Sequence, residues 1–83
     1  MDVELTDDAS EQMLSLPPKI YLRMGKLILR LKEWPNVSGV KPLRGNLAGS
    51  FRLRTGDYRV QFHLKGEVVV VEKIGHRDGF YEE

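Results

Sequence analysis

The stretch that decides the fold is SFRLRTGDYRVQFHLKGEVVVVEKI, residues 50–74. Two runs within it alternate apolar and polar residues, as strands with one buried face do. A third run is rich in valine, which indicates a strand buried inside a sheet. The turn-forming residues TGD and KG separate the three runs. The stretch therefore predicts three consecutive antiparallel strands at Ser50–Arg54, Tyr58–Leu64 and Glu67–Ile74.

Two helices are predicted upstream of these strands. Thr6 and the two aspartates that follow it are typical of a helix N-cap with acids in the first turn, and the Pro17-Pro18 pair ends this short helix. The next segment has apolar residues at helical spacing, which predicts a longer helix with one core-facing stripe. The stripe consists of Ile20, Met24, Leu27, Ile28, Leu31 and Trp34.

The predicted elements combine into an α+β fold of a single domain, residues 1–83. Val3–Leu5 is a short candidate edge strand, and residues 35–50, rich in Gly, Pro, Asn and Ser, are predicted to form a loop. The resulting order is β-α-α-β-β-β. It places two N-terminal helices on one face of a small, mainly antiparallel, twisted sheet.

The same alternation predicts a cationic face on the other side of the sheet. When the apolar strand residues face the helices, the polar ones lie together on the opposite side. The predicted set is Arg52, Arg54, Arg59, Gln61 and His63, with Val69, Val71 and Lys73 beside them on the valine-rich strand. Like charges on neighbouring strands are destabilising, and the planar arginine fork suits phosphate oxygens. The pattern therefore favours phosphate binding, with a solvated sheet face as the alternative.

Charge and composition limit the classes of function. The net charge is +1, but residues 1–12 contain five acids and no base, and residues 19–32 contain five bases and no acid. This segregation favours a basic surface that meets an anionic partner. Without cysteine and with two histidines, we expect no disulfide and no metal site. Since no apolar run approaches about 20 residues and no signal peptide is visible, we expect a cytoplasmic protein without a membrane partner.

Two further groups of residues are candidates for a site. His76, Arg77 and Tyr81 follow the valine-rich strand in IGHRDGFY. Histidine can transfer protons and tyrosine can stack on a base, although a surface histidine and a tyrosine that covers the core are the ordinary alternatives. Lys41 and Arg44 are loop charges in VKPLRGNLAGSFRLR. The glycines there are expected to form turns, because no strand–loop–helix context for a phosphate-binding loop surrounds them.

The segments KPLRGNLAGSFRLRTGDYRVQF and VVVVEKIGHRDGFY closely resemble the RelE/ParE superfamily of type II toxin–antitoxin toxins. The resemblance covers essentially the whole chain and implies a toxin that a cognate antitoxin holds inactive in a hetero-oligomer. The RelE-like branch implies an mRNA interferase that acts with the ribosome, cuts mRNA in the A site and uses no metal or small-molecule cofactor. The alternatives are a ParE-like, non-enzymatic inhibitor of DNA gyrase and an inactive homologue that binds only antitoxin or RNA.

The RelE-like resemblance also implies a reaction and a set of roles. The ribose 2′-hydroxyl attacks the adjacent phosphate, leaving a 2′,3′-cyclic phosphate and a 5′-hydroxyl. Arg59 then matches the arginine that grips the scissile phosphate, Arg77 the one that stabilises the transition state or acts as acid, and Tyr81 the tyrosine that stacks on a base. The residues assigned to RNA and phosphate binding are Arg52, Arg54, Lys41, Arg44 and His63.

The identity of the general base stays open. Arg52 falls where the prototype of the branch has a lysine, and Ser50 lies near the position of a second lysine. Arginine is a poor base, because its guanidinium keeps its proton at neutral pH. The candidates are His76, Tyr81 and, within the alternating strands, His63.

Overall fold

The computed structural model describes residues 1–80 as two helices packed against a five-stranded sheet. The strands are β1 Asp2–Leu5, β2 Lys41–Pro42, β3 Ser50–Thr55, β4 Tyr58–Lys65 and β5 Val68–His76, and the helices are α1 Asp7–Leu14 and α2 Pro18–Arg30. The sheet order is β1-β5-β4-β3-β2, with β1 parallel to β5 and the other neighbours antiparallel. The predicted α+β class is confirmed, and the six predicted elements occur in the predicted order with one further strand, β2, between α2 and β3. The valine-rich β5 is an internal strand.

Both helices begin where the sequence predicts. The Thr6 hydroxyl accepts a hydrogen bond from the Ala9 backbone N–H at 3.1 Å, which satisfies one of the free donors of the first turn of α1. α2 begins at Pro18, where the missing N–H costs nothing because a first-turn donor has no partner within the helix. α1 ends at Leu14, and a 3₁₀ turn, Leu31–Glu33, continues the chain after α2.

The core lies between the helices and one face of the sheet, which we call the inner face. Of the six residues predicted for the helical stripe, three are buried and three are partly buried. The inner face contributes Leu53, Val60, Phe62, Val69, Val71 and Ile74. The Trp34 ring packs on this layer, with its centroid 5.1 Å from that of Phe51. Alternate strand residues therefore pack against the helices, and the strand residues between these positions lie on the opposite face of the sheet.

Residues 35–50 contain more structure than the predicted loop. Lys41 and Pro42 form β2, where they pair with Arg52 and Phe51 of β3. Proline is compatible with this position because β2 is an edge strand and needs no donor on its outer side. A strand of two residues has no periodicity, so nothing in the sequence indicated it.

Because of a β-bulge in β5, two valines lie on the face of the sheet opposite to the predicted one. The prediction placed Val69 and Val71 on the cationic face with Lys73, but both valines are completely buried on the inner face. Consecutive residues of β4 pair with Val71 and Lys73, so Glu72 is an extra residue in the ladder. The bulge shifts the alternation by one position, which leaves Lys73 on the opposite face, as predicted.

Candidate functional site

The face of the sheet away from the helices, which we call the outer face, consists of three rows across β3, β4 and β5. Residues opposite each other on antiparallel strands carry their side chains on the same face, so the strand pairing defines each row. The first, second and third rows are Ser50–His63–Val70, Arg52–Gln61–Lys73 and Arg54–Arg59–Gly75. The second and third rows hold four cations and no carboxylate.

Arg54 and Arg59 lie directly opposite each other in the third row. Like charges in this arrangement destabilise a sheet, and within residues 1–80 neither arginine forms a salt bridge. Nη1 of Arg59 donates to the carbonyl oxygens of Gly56 at 3.1 Å and Tyr58 at 3.3 Å, which directs the guanidinium towards the β3–β4 turn. These partners are neutral carbonyls, so no carboxylate of residues 1–80 is paired with the charge of Arg59.

Arg77 lies at the same turn. Its backbone N–H donates to the carbonyl oxygen of Asp57 at 2.7 Å, and its Nε is 3.8 Å from Oδ1 of Asp57 and 3.8 Å from Oδ1 of Asp78. The side chains of Arg77 and Asp57 are 58% and 61% exposed. Ion pairs this long and this exposed contribute little to stability. A phosphate can therefore compete with the two carboxylates for the guanidinium.

Residues 77–80 follow β5 and bring Phe80 to the outer face beside the third row. Phe80 is buried, and a methyl group placed on Gly75 would lie 3.4 Å from Cδ1 of the Phe80 ring. Lys73 donates through Nζ to the carbonyl oxygen of Phe80, and the same Nζ lies 4.6 Å from the ring centroid. The Phe80 ring therefore lies against Gly75 of the third row. Tyr81, predicted to stack on a base, lies outside the described residues.

His76 is placed on the inner side of the sheet, away from the arginine rows. It pairs with Tyr58, whose ring meets the imidazole edge to face with centroids 5.1 Å apart. Nδ1 of His76 accepts a hydrogen bond from the backbone N–H of Asp78 at 3.1 Å. The histidine lines a groove of about 480 Å³ between α1 and the end of β5. The structure therefore does not bring His76 together with Arg59, although the two positions are close in the sheet.

A cationic cleft lies at the edge of the sheet beside β3 and β2. It has a volume of about 310 Å³ and is lined by Arg30, Ser38, Gly39, Lys41, Arg52, Leu53 and Arg54. Nη2 of Arg30 donates to the backbone oxygen of Ser38 at 2.9 Å and to its Oγ at 3.0 Å, which holds the guanidinium at the rim. Four cations line this cleft, and no carboxylate does. The cleft extends the positive surface of the outer face around the sheet edge.

Sequence analysis did not identify Arg30 as a site residue, and Arg44, predicted to bind phosphate, lies apart from the cleft. The run of bases without acids in residues 19–32 includes Arg30 and could have indicated it. The position of Arg30 in the cleft with Lys41 depends on tertiary packing. Arg44 is exposed between β2 and the 3₁₀ turn at Gly45–Leu47, and it does not line the cleft. Of the two predicted loop cations, the structure brings only Lys41 to the arginines.

His63 has the most constrained geometry on the outer face. Its Nδ1 lies 3.0 Å from Oε1 of Glu72, and the Ser50 hydroxyl donates to the same oxygen at 2.7 Å. Glu72 is the extra residue of the bulge, so its side chain and that of Lys73 both reach the outer face. The side chains of His63 and Glu72 are 38% and 27% exposed. The first row therefore holds an oriented imidazole that solvent can still reach.

Within residues 1–80, the structure contains neither a cluster of three metal-ligating side chains nor a helix that could cross a membrane. Between residues 1 and 80, no three side chains of His, Cys, Asp or Glu are grouped closely enough to hold a metal ion. No helix in this range is long and apolar enough to cross a bilayer. The positive rows and the cleft are the candidate binding features of this range.

The proteins that resemble this chain in sequence and structure are toxins of toxin–antitoxin systems. No family model matches the chain. Toxin RelG of Mycobacterium tuberculosis is 34% identical over 82 residues, which are 95% of this chain and 93% of that protein. The toxin–antitoxin complex RelBE2 of M. tuberculosis superimposes with a TM-score of 0.80 at 33% identity, covering 92% of this chain and 96% of that one. The isolated RelE toxin of E. coli has the same fold, with a TM-score of 0.76 at 19% identity over 90% of this chain and 82% of that one.

Proposed function

Because the chain belongs to the RelE/ParE superfamily of toxin–antitoxin toxins, we propose that it is a RelE-like mRNA interferase whose outer face binds the RNA. In this proposal, the toxin enters the ribosomal A site and cleaves mRNA by attack of a ribose 2′-hydroxyl on the adjacent phosphate. The ribosome and mRNA are its targets, so the activity is cytoplasmic.

The observation that carries the proposal is the charge of Arg52, Arg54 and Arg59 in the second and third rows, since none of the three forms a salt bridge within residues 1–80. Four cations lie across three adjacent strands without a carboxylate between them, and the cleft at the sheet edge continues this surface with Arg30 and Lys41. Such a surface is costly to keep without a ligand, because the charges repel one another. A phosphate backbone supplies repeated negative charges at close spacing, which supports RNA as the ligand.

The arginines fit the electrostatic demand of the reaction. Attack of the 2′-oxygen produces a phosphorane with two negative charges, and preorganised cations beside it stabilise the transition state more than the substrate. Arg59 is held by neutral carbonyls and Arg77 by two loose ion pairs at the neighbouring turn. Both guanidinium groups are therefore free to exchange their present partners for phosphate oxygens. Tyr81 is proposed to hold a base by stacking, which keeps the attacking and leaving oxygens in line.

The proposed partner in the cell is a cognate antitoxin. The RelBE2 relative was solved as a toxin–antitoxin complex, and we infer a similar hetero-oligomer for this chain. An acidic or amphipathic antitoxin segment that covers the outer face neutralises the second and third rows and excludes RNA. Inhibition then needs no change in the fold of the toxin.

The proposal is tested by adding the purified toxin to a translating system and mapping mRNA ends by primer extension. We expect cuts in phase with the codons, which disappear when ribosomes are omitted or when Arg59→Ala replaces the wild type. The same preparations are assayed for DNA supercoiling by gyrase. Intact mRNA together with blocked supercoiling would contradict the interferase and favour the gyrase inhibitor. Intact mRNA with normal supercoiling would favour an inactive homologue.

A further inference from the structure

The Glu72 carboxylate fixes the tautomer of His63. An ionised carboxylate can only accept hydrogen bonds, and its Oε1 lies 3.0 Å from Nδ1 of the imidazole. The proton of neutral His63 therefore resides on Nδ1, and Nε2 carries the lone pair. The Ser50 hydroxyl donates to the same carboxylate oxygen at 2.7 Å, which holds Glu72 in place from the other side. Nε2 is thus prepared to accept a proton, on a side chain that is 38% exposed.

The bulge in β5 makes this contact possible. Because Glu72 is an extra residue between the partners of two adjacent β4 residues, both it and Lys73 project on the outer face. A bulge commonly re-aims a side chain next to a functional site. Here it places the Glu72 carboxylate beside His63, which is the only imidazole on the outer face within residues 1–80. The second and third rows gain no acid from the bulge.

We propose that His63 is the general base that accepts the proton of the attacking 2′-hydroxyl, and that Glu72 is the positioning residue that holds its imidazole. The inference rests on the interferase function proposed above. His63 would then remove the proton of the 2′-hydroxyl, a step for which the arginines are unsuitable, since a guanidinium does not lose its proton at neutral pH.

The positions of the rows place the scissile phosphate at the second row. Arg52 belongs to that row and lies diagonally across from His63, a separation of roughly 7–8 Å between backbone positions. Arg59 lies two residues from the second row on the other side, which is about 7 Å along the strand. An extended arginine side chain spans such a distance once it leaves the carbonyl of Gly56. A phosphate above Arg52 is therefore within reach of His63 from one side and Arg59 from the other.

During cleavage, His63 accepts one proton and water supplies another. The 2′-hydroxyl gives its proton to Nε2 of His63 while its oxygen forms a bond to phosphorus. The bond between phosphorus and the 5′-oxygen breaks, and that oxygen takes a proton from water. The products are a 2′,3′-cyclic phosphate and a 5′-hydroxyl. His63 then releases its proton to solvent, and Glu72 stays ionised throughout.

The first test compares cleavage by variants of the two residues. General base catalysis contributes about 100-fold to 10,000-fold, so His63→Ala should slow cleavage at least 100-fold, and added imidazole should restore part of the rate. Glu72→Ala should slow it about 10-fold, because the imidazole loses its orientation. Glu67→Ala, an exposed glutamate in the β4–β5 turn, is the matched control and should cleave at the wild-type rate. Thermal unfolding of each variant checks that the fold is intact, and His63→Gln serves if His63→Ala does not fold.

The second test reads the tautomer without any activity assay. The ¹⁵N chemical shifts of the His63 imidazole should report a proton on Nδ1 in the wild type and in Glu67→Ala, and its redistribution to Nε2 in Glu72→Ala. A wild-type proton on Nε2, cleavage by His63→Ala at the wild-type rate, or a loss in His63→Ala that imidazole does not restore would each overturn the proposal. If the wild type itself does not cleave mRNA, the interferase function fails instead, so the two failures are distinguishable.

Discussion

The inner and outer faces are built from the same strands but serve opposite purposes. On the inner face, Val60, Phe62 and Val71 are fully buried and hold the helices. On the outer face, Arg54 and Arg59 stand opposite each other with no salt bridge in the described chain. The inner face gains stability from burial, whereas the opposed charges of Arg54 and Arg59 on the outer face cost stability. Substitutions on the two faces should therefore separate folding from activity.

The largest effect is expected on the inner face, for Phe62→Ala. Phe62 has no exposed surface and lies at the centre of the core, so its removal leaves a cavity and should cost about 3–5 kcal/mol of unfolding free energy. Urea denaturation followed by circular dichroism measures it. Leu64→Ala, on the same strand but 38% exposed, is the control and should lose far less. A loss below about 1 kcal/mol for Phe62→Ala would contradict the division between the faces.

The matching effect on the outer face is expected for Arg59→Ala. The side chain donates to two main-chain carbonyls and lies on the outer face, away from the core under the helices, so the unfolding free energy should change little. Cleavage on the ribosome should fall by about 100-fold or more, as when a preorganised transition-state donor is removed. Lys65→Ala, at the exposed end of β4, is the control. Wild-type cleavage by Arg59→Ala would remove this residue from the site.

A smaller effect is expected for Arg30→Ala at the sheet-edge cleft. Loss of one phosphate contact should weaken binding of single-stranded RNA a few-fold and reduce the slope of log affinity against log salt by about 0.7. Fluorescence anisotropy over a series of KCl concentrations measures both. Lys26→Ala removes a charge from the same helix without touching the cleft, and its slope should match the wild type. Equal slopes for both variants would mean that RNA does not enter the cleft.

The smallest effect is expected for Asp57→Asn. The variant neutralises the partner of Arg77 but keeps the backbone carbonyl to which the Arg77 N–H donates. An exposed ion pair at 3.8 Å should contribute less than about 1 kcal/mol, and thermal unfolding should barely change. A loss of more than about 2 kcal/mol would show that Arg77 is a structural residue of the turn, and would weaken its assignment to phosphate.

Local patterns predicted most of the fold. The Thr6 cap, the stripe of α2 and the alternation in β3 and β4 depend on neighbours within a few residues, so their spacing was sufficient. β2 was not predictable, because two residues become a strand only when β3 lies beside them. The bulge at Glu72 was missed for a related reason, since the pairing partner on β4 decides where the alternation shifts.

The candidate site was predictable in its charge but less so in its geometry. Alternation alone placed Arg52, Arg54 and Arg59 on one face. The cleft brings Arg30 to Lys41 through tertiary packing, which no spacing in the sequence records. The predicted roles of Arg59, Arg77 and His63 stay predictions until cleavage is measured.

The most direct measurement uses ribosomes programmed with an mRNA that carries a single 2′-deoxy nucleotide at the cleavage position of the A-site codon. The wild-type toxin should cut the all-ribose mRNA, leave a 2′,3′-cyclic phosphate, and leave the 2′-deoxy mRNA intact at that position. The double variant Arg52→Ala, Arg54→Ala should cut neither while unfolding at the same temperature as the wild type. Equal cutting of both mRNAs by the wild type, or unchanged cutting by the double variant, would contradict an RNA site on the outer face.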